Sequence, residues 1–370
     1  MKSKKIQRRL GLGGVVALGL AASLGLVSCS SGGGTSDGGA DNGENPSLVI
    51  ASWGDPFTSA TQEFLVDPFV EETGYDVQIV DAPGKYVASL EAQQQANNIE
   101  WDLLDSTSAP DAYIAYDKGL IEKMPDDVRE RISEVLPEDA VTDFGITWSI
   151  LGYITACNAA AAQACPQNTA EMFDTEQFPG SRTSISTSPL VNLSLAEVAS
   201  GVDVADLATH EIDMERAFAK LEEFKAAGGT WWNSGDQFMQ VLSTNEVDMG
   251  FGYSGRSYAV AEDMENLEIN WEGGLYNPGF WNVVEGSEDS EAAWEFVEWI
   301  ATHPEAAANW GQALGYSVPN PDSFDYIEPE VAETLADFPA NRELLGGMNF
   351  NWYVENYQEV NDRWQEFIRG

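Results

Sequence analysis

Histidine, cysteine and positive charge are all scarce in this 370-residue chain. It carries two histidines, three cysteines and 18 Lys plus Arg against 61 Asp plus Glu, for a formal net charge of −43. So few histidines and cysteines leave little for a tetrahedral zinc site or for histidine acid–base catalysis. The surplus of acid repels phosphates and anionic headgroups, which excludes nucleic acid and the lipid headgroup surface as partners. HExxH, GxxxxGK(S/T) and a GxGxxG following a strand are also missing. Gly252–Ser257 (GYSGRS) departs from a nucleophile elbow because Arg256 stands where the second glycine would be. His303 precedes Pro304 at a helix junction and His210 lies in a polar loop, so both read as junction residues. No catalytic residue, metal ligand or cofactor is assigned, and the chain is not expected to be an enzyme.

What is present is apolar and aromatic material: 43% hydrophobic residues, with 12 Trp, 12 Tyr and 16 Phe. That is enough for a large core, and the length predicts two lobes. Lys2, Lys4, Lys5, Arg8 and Arg9 precede an apolar run from Leu10 to Leu26 that ends in small residues before Cys29. Residues 1–28 read as a secretory signal peptide. The small-residue-then-Cys ending resembles the bacterial lipobox, which implies cleavage before Cys29 and a lipid on its sulfur. Losing the five leader cations would leave about −48. Residues 29–46 are then a lipidated cysteine and a Gly/Ser/Asp-rich tether. Cys157 and Cys165 close a small loop and are expected to form a disulfide in an oxidising compartment.

The remainder alternates short apolar runs with amphipathic ones. Strands are predicted at 47–53, 75–80, 101–105, 147–156, 182–187, 230–232, 248–253 and 281–285. Helices are predicted at 58–73, with Pro68 as a kink, and at 86–98, 109–118, 190–200, 213–227, 237–244, 257–264 and 290–302. The βαβα order predicts a parallel sheet with helices on both faces. Many aromatics fall at strand ends and loops, including Trp53, Trp232, Tyr253, Tyr276 and Tyr316. Ligands of open α/β sheets bind beyond the carboxyl ends of strands, where such rings can grip an apolar stem or a cation.

Several segments, in order, resemble the extracellular solute-binding proteins of ABC importers, in the spermidine/putrescine-binding branch. They include PFVEETGYDV (68–77), WDLLDSTSAPDAYIAYDKGLIEKM (101–124), FDTEQFPGSRTSI (173–185), WWNSGDQFMQVLSTNEVDMGFGYSGRS (231–257), LGYSVPN (314–320) and NFNWYVENYQEVNDRW (349–364). The resemblance implies an α/β, two-lobed periplasmic-binding-protein fold of type II-like form, with discontinuous lobes joined by crossover strands. Lobe one would comprise 47–148 plus 278–317, and lobe two 149–277 plus 318–370. It further implies a small-molecule ligand, with a polyamine favoured, delivered to an ABC permease and its ATPase. By carry-over the ligand residues would be Trp53, Ser106, Ser108, Ser234, Tyr253 and Tyr316, joined by Asp55, Trp232, Asp236 and Tyr276. A monomer held outside the cytoplasmic membrane, touching it only through the lipid, is expected.

Polyamine-binding members carry acids after the strand matching 182–187 and after the GG of WEGG. Here those places hold Ser188-Pro189-Leu190 and LYNPGFWN. Burying an ammonium without a partner costs several kcal/mol. Either Asp55, Asp105, Asp236 or Glu272 supplies the charge, or the ligand is another solute. The alternatives are a quaternary ammonium, a sugar, or an opine-like or organic acid paired by Arg182 or Arg256. A ligand-sensing lipoprotein or a carboxylate-dependent hydrolase are the readings from other classes.

Overall fold

Alternation of strand and helix along the chain builds one twisted sheet, seen in a computed structural model that describes residues 46–370. The expected leader, Cys29 and the tether up to Asn45 lie outside the described residues. The strands are β1 (Ser47–Ser52), β2 (Asp76–Asp81), β3 (Leu103–Ser108), β4 (Val141–Thr142), β5 (Gly145–Asn158), β6 (Arg182–Ile185), β7 (Gly229–Trp232), β8 (Met249–Tyr253), β9 (Leu267–Val283) and β10 (Leu345–Gly346). Their spatial order is β2-β1-β3-β9-β5-β8-β6-β7, with β10 on β9 and β4 on β5.

The expected all-parallel sheet is corrected to a mixed one. The two ends are parallel, β2-β1-β3 at one and β8-β6-β7 at the other. The long strands β5 and β9 run antiparallel to each other and to their outer neighbours, and they join the two ends. Strand β9 was expected only as 281–285. Its first twelve residues, LEINWEGGLYNP, carry Gly273, Gly274 and Pro278, which mask the strand pattern. Pairing is irregular at three places: between Leu104 and Thr107 on β3, and between Trp148 and Leu151 and between Tyr153 and Thr155 on β5.

The helical run after β1 shows how sequence sets local form. It starts at Phe57, passes through one wider π-type turn at Gln62–Val66, and continues as Asp67–Thr73. Pro68 lacks an N–H and would clash with the carbonyl four residues back, and the wide turn just before it relieves both problems. Gly74 ends the run in the left-handed conformation, φ 77°.

Apolar faces collect into two large cores. One holds Leu48, Leu65, Phe69, Leu103, Trp148, Trp281, Phe296 and Trp310, beneath the β1-β3-β9 end. The other reaches Leu193, Phe218, Phe224, Trp232, Phe238, Phe251 and Trp364 at the β8-β6-β7 end. The C-terminal helix Tyr357–Arg369 is fixed there by Trp364, whose indole N–H donates to the Ser186 carbonyl at 2.7 Å.

The expected Cys157–Cys165 disulfide is formed, with Cα atoms 5.7 Å apart. It ties the end of β5 to the following loop. Closing a loop of this size stabilises by about 2–3 kcal/mol. Cys165→Ser is therefore expected to lower unfolding stability by about that amount, read as a shift in urea midpoint. An unchanged midpoint would show that the loop is held by other contacts.

Candidate functional site

A cleft of about 300 Å³ opens between the two ends of the sheet. One wall comes from Pro56 and Phe57, just after β1, and from Leu314, Gly315 and Tyr316. The other comes from Tyr253, Gly255, Arg256 and Ala259, at the carboxyl end of β8 and the start of helix Ser254–Asp263. Leu151 of β5 lies between them. This is the place that strand-end geometry favours for a ligand.

Each side chain is there for a local reason. In β8 the sequence MGFGY puts Gly250 and Gly252 on the face that meets Phe238. A Cβ at Gly252 would stand 2.1 Å from the Phe238 ring. The strand can therefore lie flat on Phe238 and end with Tyr253 at its rim. The Tyr253 ring is held by Tyr153, with centroids 4.9 Å apart, and by the edge-on Trp232 at 5.2 Å. On the opposite wall, Gly315 takes φ 71° to end helix Pro304–Leu314, and its turn delivers Tyr316. The Tyr316 ring meets Phe57 at 5.5 Å and Trp310 at 6.3 Å. A two-way backbone bridge between Ile150 and Ser317 pins that turn to β5. The walls come close at one point, where a Cβ on Gly255 would lie 3.0 Å from the Gly315 carbonyl oxygen.

The electrostatics are simple. Arg256 is the lone charged residue of the lining, and no acid accompanies it there. Its side chain is about half exposed, 3.4 Å from Asp236. Gly235 leaves it room, since a Cβ there would come within 2.9 Å of the guanidinium Nε. Burial pushes the Tyr253 hydroxyl above the usual phenol range, and pushes Tyr316 up to about 12. Both rings are thus neutral hydrogen-bonding groups at any physiological pH.

The sequence-predicted residues divide clearly by position. Tyr253 and Tyr316 face each other across this cleft, with Trp232 behind Tyr253, its indole N–H donating to the Phe251 carbonyl at 3.0 Å. Asp236 flanks the cleft through Arg256. Ser234 caps helix Gly235–Ser243, accepting from the Gln237 N–H at 3.2 Å. Ser108 likewise caps helix Ala109–Asp117. Trp53 stacks edge-on against Tyr86 and donates to the Ser106 carbonyl at 2.9 Å. Ser106 is buried, its hydroxyl on Asp105. Asp55 is exposed and accepts from Ser59. Tyr276 lies in a different hollow, under the Arg342 guanidinium at 4.1 Å and beside Asp337.

Two charged candidates are relocated. Arg182 has no exposed surface and donates to the carbonyls of Gly180, Met172 and Phe178, so it holds a loop and pairs no solute. Asp105 is also fully buried, accepts from three hydroxyls and is absent from the lining of this cleft. Phe57, Leu151 and Gly315 were not picked out by sequence reasoning. The Gly-Asp-Pro turn after β1 was the one available signal for Phe57. Among the described residues no group of three or more His, Cys, Asp or Glu side chains is placed to hold a metal ion.

Comparisons with known proteins agree with this architecture. The model of a family described as bacterial extracellular solute-binding protein matches residues 65–340. A γ-aminobutyric acid-binding protein of Pseudomonas aeruginosa is 26% identical over 324 residues, spanning 86% of this chain and 90% of that one. A solved structure described as a GABA receptor is 30% identical, with a TM-score of 0.77, over 87% of this chain and 97% of that one. A spermidine/putrescine ABC transporter substrate-binding protein from Streptococcus pneumoniae shares the fold alone. It is 17% identical with a TM-score of 0.68, over 88% of this chain and 100% of that one.

Proposed function

The chain belongs to the bacterial extracellular solute-binding protein family, and from that premise we propose that its cleft captures a small amino-acid zwitterion of the γ-aminobutyrate type. Members of this family are extracellular solute-binding proteins, and a similar solved chain is the substrate-binding protein of an ABC transporter, a binding role rather than an enzymatic one. The observation that carries the ligand reading is the lining itself: one half-exposed arginine, three aromatic rings and no acid. Arg256 supplies two charge-assisted hydrogen bonds to a carboxylate. Phe57, Tyr253 and Tyr316 offer ring faces to an ammonium and its methylene stem. The names of two similar proteins support the same reading. A polyamine is the poorer fit. Two or three ammonium groups would be buried against an arginine with no carboxylate in the lining.

Lobe one, 47–148 plus 278–317, and lobe two, 149–277 plus 318–370, are proposed as the moving bodies. Pairing irregularities near Leu104–Thr107 and Trp148–Leu151 are places where β3, β5 and β9 can bend. Ligand touching both walls favours closure, and the closed form is presented to a permease and its ATPase. Leader removal and lipid on Cys29 would tether the protein outside the membrane.

The test is tryptophan fluorescence and thermal shift on residues 46–370 against γ-aminobutyrate, other amino acids, opines, betaines, spermidine and putrescine. Saturable binding of γ-aminobutyrate supports the reading, and saturation with spermidine or putrescine alone overturns it. Tyr316→Ala and Tyr253→Ala are each expected to weaken γ-aminobutyrate binding about tenfold, as loss of a ring contact worth somewhat over 1 kcal/mol requires. Unchanged affinity in both variants would move the site elsewhere.

A further inference from the structure

Asp105 stands within β3, fully buried, with no lysine, arginine or histidine among its hydrogen-bonded partners. A buried carboxylate without a cation is costly, and its burial here is answered by three hydroxyls. Ser52, the last residue of β1, donates to Oδ2 at 2.7 Å. Thr61, at the end of the short helix Phe57–Thr61, donates to the same oxygen at 2.9 Å. Ser106 donates to Oδ1 at 2.7 Å, from a left-handed backbone with φ 52° that a non-glycine residue adopts only under constraint.

Those donors are not scattered. Ser52 immediately precedes the loop of Trp53–Pro56, and Phe57 opens the helix that ends in Thr61. The Ser106 carbonyl accepts from Trp53 Nε1, and the Asp105 carbonyl accepts from the Tyr86 hydroxyl at 3.0 Å. Thr61 Oγ1 in turn accepts from the indole N–H of Trp310 at 3.0 Å. Trp310 packs edge-on against Phe57, with centroids 5.9 Å apart, and both lean on Tyr316. One carboxylate therefore fixes both flanks of the segment 53–57. Through Thr61 it also sets the Phe57–Trp310–Tyr316 wall of the cleft.

We propose that Asp105 is a positioning residue for ligand binding, acting through Thr61 and Trp310 on the aromatic wall that Phe57 and Tyr316 present to the solute. This goes beyond the ligand reading above and rests on it only where affinity is measured. A carboxylate accepts all three hydroxyl protons at once. A protonated acid or an amide of the same shape gives up part of that accepting capacity. Burial raises the Asp105 carboxyl to about 6, so the change falls in an accessible pH range. The titratable groups on the elements packed around it are Tyr86 on the helix Tyr86–Ala96, Asp111 on the helix Ala109–Asp117, and Asp81 beside Ser52 on β2. Asp105→Asn separates its contribution from theirs.

The experiment compares the wild-type chain with Asp105→Asn and Thr61→Val, using γ-aminobutyrate as the probe. Wild-type affinity is expected to fall as pH drops below about 6, while Asp105→Asn binds about tenfold more weakly above pH 7 and loses that pH response. Thr61→Val is expected to match it, and the double variant to lose no more than either single one. Wild-type affinity and an unchanged pH profile in both variants would overturn the proposal. Hydrogen exchange on the ligand-free proteins needs no solute. Faster exchange confined to residues 53–61 and 310–316 in the variants supports the brace, and unaltered exchange there overturns it. If γ-aminobutyrate fails to bind the wild type, the ligand reading falls, and hydrogen exchange decides the role of Asp105 by itself.

Discussion

Arg256→Ala is expected to weaken γ-aminobutyrate binding by about a hundredfold, roughly 2.7 kcal/mol. Two charge-assisted hydrogen bonds to a carboxylate in a partly enclosed cleft are worth that much. The loss is compounded because Asp236, 3.4 Å away, would be left without its cation and would repel the same carboxylate. Arg256→Lys keeps the charge but not the planar fork, so an intermediate loss is expected. The fold should be unaffected, because the Arg256 side chain is about half exposed and Gly235 already makes room beside it. Isothermal titration on both variants, with thermal melts as the control, measures this. Full affinity in Arg256→Ala would remove arginine from the site and with it the zwitterion reading.

Arg182→Ala is expected to do the opposite: cripple stability and spare binding. The guanidinium has no exposed surface and gives its protons to three main-chain carbonyls. Its desolvation holds its own pKa below the usual arginine value, with Asp174 and Asp248 offsetting part of the cost. Truncation strands the carbonyls of Met172, Phe178 and Gly180 and leaves a void beside Phe224, whose ring lies 6.0 Å from the guanidinium carbon. Unsatisfied buried acceptors at about 1–3 kcal/mol each, together with the cavity, predict a loss of about 3–5 kcal/mol. For a chain of this size that is a fall of about 5 °C or more in Tm. Urea melts measure the loss, and titration of the folded fraction measures affinity. A stable variant that no longer binds would reinstate Arg182 as a ligand residue.

These two arginines show where sequence stops being informative. Arg182 follows Gly180-Ser181 at the start of β6, Arg256 follows Gly255 in the first turn of helix Ser254–Asp263, and from sequence both are equal candidates to pair a carboxylate. Burial decides between them, and burial depends on what packs opposite. For Arg182 that is the loop 172–180, whose carbonyls turn inward. For Arg256 it is Gly235, from a helix twenty residues earlier. The same holds for the serines. Ser108 and Ser234 have the side chains a ligand loop would use, yet each sits one residue before a helix, where its oxygen is taken by a main-chain N–H.

Strand and helix alternation, the Cys157–Cys165 pairing, the aromatic character of the strand ends and the family are all legible in the sequence. Each of these is written in local pattern or in the order of short motifs, so no distant contact is needed to read it. The length of β9 and the direction of the central strands were decided only in three dimensions, because glycines and a proline blur the pattern and pairing partners lie over a hundred residues apart. The site was decided there too. Phe57, Tyr253, Arg256 and Tyr316 come from two ends of one sheet, and long-range packing through Trp310, Phe238 and Asp105 brings them to a common cleft.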